Sequence, residues 1–133
     1  MTTGRRPPGY MTEDLEMAKV SGPPQYTCRT DKAVDHIALA DKQGTVIGYI
    51  YANDEDDAAG WQGRPSAGFA AQNLAGPWLM KLRDGKKRGL RPTAALDELM
   101  GASDANSHIV PSSRQTSPSL GALKELAGDL STK

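Results

Sequence analysis

Three groups of residues have types and spacings that could do chemistry. Cys28, Asp35 and His36 lie close enough along the chain to suggest a thiol, a base and an orienting carboxylate. NDEDDAAGW puts Asp54, Glu55, Asp56 and Asp57 in a row, a candidate cation ligand set or an acidic knob for a basic partner. KLRDGKKRGLRP sets Lys81, Arg83, Lys86, Lys87, Arg88 and Arg91 against the one acid Asp84, a candidate grip on phosphates.

Nucleophilic chemistry fails first. A thiol needs a neighbouring base or positive group to become a thiolate. On a strand, alternation sends His36 to the face opposite Asp35, so no base meets Cys28, which reads as a buried or half-buried strand residue. A calcium loop fails on spacing. Starting at Asp54, the positions that need an acid or amide, a glycine and a glutamate hold Ala58, Ala59 and Pro65. The two histidines, His36 and His108, are too far apart in sequence to suggest a zinc site, and no glycine-rich phosphate loop occurs. The sequence therefore calls for no cofactor and no metal, and for no catalytic residue.

The basic stretch has two readings. At 100° per residue, Trp78, Leu79 and Leu82 form one stripe and the charges fall mostly opposite, an ordinary amphipathic helix whose Lys86 stem can lie along apolar surface. Alternatively, two helices joined around Gly89-Leu90 resemble a degenerate helix-turn-helix. Its second helix, PTAALDELM, carries Asp97 and Glu98 and no base, so nucleic-acid contact would be through phosphates alone, with Lys81, Arg83, Lys86, Lys87, Arg88 and Arg91 as the grip.

The elements that must position these groups follow from local chemistry. Residues 1–24 read as a tail, with Thr12 to Val20 a possible short helix closed by SGPP. HIALADKQGTVIGYIYA holds two β-favouring runs around Asp41-Lys42-Gln43-Gly44, which suits a short hairpin loop with Gly44 left-handed. Apolar groups on both faces of the hairpin require cover, a third strand from the Tyr26 segment or a second subunit, and helices. Asn53 is a good N-cap, with Asp54–Asp57 filling the first turn of a helix over 53–59. A helix over 69–88, broken at Gly76-Pro77 and ending at Gly89, and another over Pro92 to Met100 complete a compact unit, 25–101. Residues 102–119 read as a Ser/Pro-rich linker. Residues 120–133 form a C-terminal amphipathic helix with Leu120, Leu123, Leu126 and Leu130 on one side. The fold class is α+β: a small antiparallel, hairpin-centred sheet covered by short helices, with flexible tails.

The charge balance bounds partners. Sixteen bases meet sixteen acids overall, yet residues 1–60 carry a net −4 and residues 61–133 a net +4. A chain this small, with one cysteine and no apolar run long enough to span a bilayer, reads as cytoplasmic, without membrane contact. The segments GYIYANDEDDAAGW and KKRGLRPTAALDEL, within about the central half of the chain, resemble small actinobacterial proteins, some associated with mobile elements. That resemblance implies an accessory or regulatory role over housekeeping catalysis and transfers no functional residue. The reading is a non-enzymatic accessory or regulatory protein, in a homodimer or alone. It binds an unidentified protein partner through Asp54, Glu55, Asp56, Asp57, Trp78, Leu120, Leu123, Leu126 and Leu130. Nucleic acid on the basic face is the alternative.

Overall fold

In the computed structural model, residues 25–128 are described; the helix expected over Thr12 to Val20, and Leu130, lie outside them. The hairpin forms where the turn chemistry puts it. β1 (Val34–Asp41) pairs antiparallel with β2 (Val46–Asn53), with an irregularity between Leu39 and Ala40. The Asp41 carboxylate accepts from the amides of Gln43 and Thr45, both at 3.0 Å, and Gly44 takes the left-handed φ of 86°.

β3 (Ala58–Gly63) continues the meander on the far side of β2. The helix expected over 53–59 does not form. Asn53 ends β2, its Oδ1 accepting from the Asp56 amide at 2.8 Å, and Asp54–Asp57 are the turn into β3, with Asp57 at φ 53°. A side-chain oxygen that accepts from the amide three residues on can cap a helix or close a turn between strands, and strand pairing decided between them.

A 3-10 turn (Pro65–Ala67) leads into α1 (Gly68–Lys87), then α2 (Pro92–Met100). The expected break at Gly76-Pro77 is absent; α1 runs through Pro77. Pro77 and Asn73, whose carbonyl loses its amide partner there, are both exposed, so solvent can satisfy that carbonyl. The segment 102–119, read as a linker, instead supplies β4 (Ser107–Ile109) and β5 (Gln115–Ser117), which both pair antiparallel with β1. The strand order is β3-β2-β1-β4, with β5 also on β1. These strands are polar, but Ser107 and Ser117 turn inward to buried donors and acceptors: Trp78 Nε1 donates to Ser107 Oγ at 2.8 Å, and Ser117 Oγ lies 2.9 Å from His36 Nε2.

The two faces of the sheet have separate cores. Ile37, Leu39, Ile50, Trp78, Leu82, Leu96 and Leu99 make the larger one beneath α1 and α2. The opposite face takes α3 (Leu120–Leu126), capped by Ser119 Oγ on the Ala122 amide at 3.1 Å, with Leu123 packed against Val34 and Tyr51. Gly48 must lack a side chain, since a Cβ there would lie 2.4 Å from the Trp61 ring. Among the described residues no helix is long and apolar enough to cross a membrane.

Candidate functional site

The fold gives each candidate group a definite place. His36 and Ser117 resemble a base and a nucleophile, but both are buried. Asp35 faces away from His36, taking Thr116 Oγ1 and Arg114, each at 2.9 Å. Burial lowers the His36 pKa, and Asp35 offsets only part of that, so the ring stays neutral. Burial raises the Asp35 pKa, but the hydrogen bonds from Arg114 and Thr116 outweigh it and hold the carboxyl below its usual value. Cys28 is exposed, contrary to its reading as a covered strand residue, because the segment around it joins the sheet through a single bridge, Thr27 to Ala58. Its carbonyl accepts from the Tyr51 hydroxyl at 2.8 Å, and burial pushes that phenol up to about 12. No group of three or more metal-ligating side chains gathers among the described residues.

The acidic run is a clamp. Asp54 accepts from the Thr93 amide at 2.9 Å and the Thr93 hydroxyl at 2.7 Å, so a carboxylate caps the start of α2 from outside the helix. Asp56 takes Thr30 Oγ1 at 2.6 Å and Lys32 Nζ at 3.1 Å, and Asp57 pairs with Lys86. Of the four acids named for partner contact, Glu55 alone is exposed with no bond to another side chain among the described residues.

Half of the basic set is engaged in the same way. Lys86 pairs with Asp57, and its Nζ lies 5.4 Å from the centre of the Tyr26 ring. Arg88 holds Asp84 at 2.8 Å and Glu98 at 2.6 Å, and Arg91 lies 3.9 Å from Asp54. Lys81, Arg83 and Lys87 are exposed and form no ion pair among the described residues. The helix-turn-helix reading is left with three of its six phosphate contacts, and its second helix exposes Asp97 and Glu98.

Two apolar partner contacts need correction. Trp78 and Leu123 are fully buried in this chain's own cores, so neither presents surface to another molecule. Leu120 is half-buried against the Val34–Tyr51 cluster, while Leu126 is 49% exposed.

What the sequence did not single out is the flank of the sheet where β3 meets α1. The Ala59 amide donates outward to the Thr27 carbonyl at 2.9 Å, and Arg64 N–H turns inward to Ile47 at 2.9 Å. By alternation in an antiparallel ladder, Trp61 and Gly63 also point their backbone groups outward. Gly63 C=O takes the Gln62 side chain at 3.0 Å, but Trp61 N–H and C=O and Gly63 N–H meet no partner among the described residues. Two cavities flank this open edge. One, of about 210 Å³, has Tyr26, Cys28, Gly60, Leu79, Leu82 and Arg83 in its wall. The other, of about 440 Å³, is bounded by Trp61, Gly63, Arg64, Gly68 and Gln72. Trp61 Nε1 and Arg64 Nε are buried with no acceptor among the described residues, while Arg64 Nη1 donates to the Val46 carbonyl at 3.5 Å. No side chain caps α1, and no acid lies in its first turn. Among the described residues neither cavity wall includes a carboxylate. The flank thus offers free backbone groups, one mainly apolar hollow, one lined largely by polar atoms, and two arginines without an ion pair among the described residues.

No family model matches the chain, and no curated protein or solved structure matches it either.

Proposed function

We propose that this chain is a small, non-enzymatic accessory or regulatory protein that binds a protein partner along the β3–α1 flank. The observation that carries the reading is the open outer edge of β3 between two cavities, with Arg64 and Arg83 forming no ion pair among the described residues. An unpaired strand edge is a template for another strand, and proteins that keep one exposed either protect it or use it. The charges of α1 favour an acidic partner. Lys81, Arg83 and Lys87 would speed encounter and set orientation, and the edge and hollows would hold the partner once it arrives.

The test is to challenge the full chain with an array of random heptapeptides and, in parallel, with mixed-sequence duplex DNA and single-stranded RNA at about 50 and 200 mM salt, a range over which phosphate contacts lose much of their affinity. The reading expects retention of acidic, β-prone peptides, lost in Arg64→Glu/Arg83→Glu. An array that retains nothing overturns it. Nucleic-acid binding that falls steeply with salt and disappears in Lys81→Glu/Arg83→Glu/Lys87→Glu replaces it with the phosphate-grip reading.

A further inference from the structure

We infer that the partner enters as an extended C-terminal peptide, added parallel to β3 with its terminal carboxylate against Arg64 and the first turn of α1. This rests on the partner reading above and narrows it to a ligand class, a direction and a contact for the chain end.

The backbone requirement comes from Trp61 and Gly63. Their outward groups sit on the stretch of β3 beyond the Thr27 bridge, which already takes Ala58 and Ala59. At roughly 3.3 Å per residue, that stretch takes a strand of about four residues. A strand this short gains little from ladder bonds alone, so its affinity must come from the ends and from side chains facing α1.

Direction follows from charge. The Gly63 end of the edge opens on Arg64, whose guanidinium donates to the Val46 carbonyl at 3.5 Å and forms no ion pair among the described residues, and on α1, whose first turn has neither a side-chain cap nor an acid. Both features favour negative charge: the guanidinium as a charge-assisted donor, the helix start through its dipole, although the Gly68 amide is already taken by the Pro65 carbonyl. A peptide running parallel to β3 brings its C-terminus there. An antiparallel peptide would bring its ammonium to the same place and be repelled.

Side-chain preference follows from the other hollow. It lies beside Gly60, toward the start of the edge, and its wall of Tyr26, Leu79 and Leu82 is mainly apolar, with Arg83 at the rim. A ligand residue about two or three positions before the terminus would drop an aliphatic side chain into it, given strand spacing. An acid nearby would meet Arg83.

The experiment uses the full chain and one set of random heptapeptides made twice, with free C-terminal carboxylates and as C-terminal amides. Retained sequences are then measured in solution by anisotropy against the native protein, Arg64→Met and Arg64→Lys, with hydrogen exchange followed at the Trp61 amide. The inference expects binding at least about tenfold tighter for the carboxylate than for the amide, the scale of one hydrogen bond to a charged group. It expects loss of that preference in Arg64→Met, partial retention in Arg64→Lys, and new protection at the Trp61 amide. Arg64→Met should lower the melting temperature only slightly, because the guanidinium holds one long bond, Nη1 to the Val46 carbonyl at 3.5 Å; a large fall would mean that Arg64 serves the fold and would overturn its assignment to the ligand. Equal binding of both peptide forms overturns the terminal-carboxylate inference and leaves the partner reading standing. A Trp61 amide already protected in the free chain, or unchanged on binding, overturns the edge-strand inference. Retention of neither form removes the partner reading itself.

Discussion

Leu123 and Leu126 stand three residues apart on α3 and have opposite surroundings: Leu123 is fully buried against Val34 and Tyr51, and Leu126 is 49% exposed. Leu123→Ala removes three buried carbons, which at about 0.8 kcal/mol each is roughly 2.4 kcal/mol of transfer free energy. The residual cavity adds to this, as large-to-small core changes generally cost about 2–5 kcal/mol. There is a ceiling, though. α3 is the last described element, and it can leave the sheet by itself, so the measured loss cannot exceed the free energy of docking that helix. About 2–3 kcal/mol is the expected outcome, a fall of roughly 1–2 M in the urea midpoint for a chain of this size. Leu126→Ala should stay within about 0.5 kcal/mol, as surface changes do. Urea unfolding followed by circular dichroism measures both, and hydrogen exchange on Leu123→Ala should show α3 opening ahead of the sheet. If Leu123→Ala is neutral, or Leu126→Ala is the costlier change, α3 does not dock through Leu123 and the second core is wrong.

Other perturbations reach other parts of the fold. His36 has a folded pKa below its unfolded value, so its contribution is present above about pH 6.5, the ordinary histidine value, and is lost as pH falls through the depressed folded pKa; the urea midpoint should drop between pH 7.5 and 5, and His36→Gln should flatten that drop. Trp78→Phe leaves the buried Ser107 hydroxyl without its donor and should cost about 1–3 kcal/mol, with part of the loss recovered in Trp78→Phe/Ser107→Ala; non-recovery in thermal unfolding would refute that bond. Cys28 is exposed, so iodoacetamide should alkylate it fully in the native protein without a measurable shift in melting temperature; resistance short of unfolding would place it inside.

Short-range chemistry was legible in the sequence and long-range partners were not. Asp41 to Gly44 specify their hairpin within four residues, and α2 begins at Pro92 and closes at Gly101 as its terminal residues indicate. The Trp78–Leu82 stripe needed only helical periodicity. Asn53 was ambiguous because one side-chain oxygen serves a helix cap and a β-turn equally, and Tyr51 and Ala52 pairing with Gly60 and Ala59 settled it. Ser107 and Ser117 looked like linker residues because what makes them strand residues, Trp78 and His36, lies 29 and 81 positions away. The acidic and basic runs looked like free faces for the same reason: Asp54 to Thr93 and Asp57 to Lys86 are contacts between segments that only folding brings together. The β3–α1 flank leaves almost no trace in sequence, since an open strand edge is defined by what does not pair with it.

β1 receives partners from both directions in the chain: β2 follows it immediately, whereas β4 and β5 arrive only after two helices. This sets a timetable for synthesis. As the chain leaves the ribosome, the β1–β2–β3 meander and then α1 and α2 can assemble while the other edge of β1 is still bare. That edge is sealed only when residues 107–117 emerge, and the Val34–Tyr51 face is roofed only after residue 123. Long loop closures of this kind are slow, and bare strand edges invite pairing with neighbouring chains while they last. A nascent chain stalled shortly after Met100 would present a bare β1 edge and an uncovered apolar face, and residues 107–123 are what close the one and roof the other.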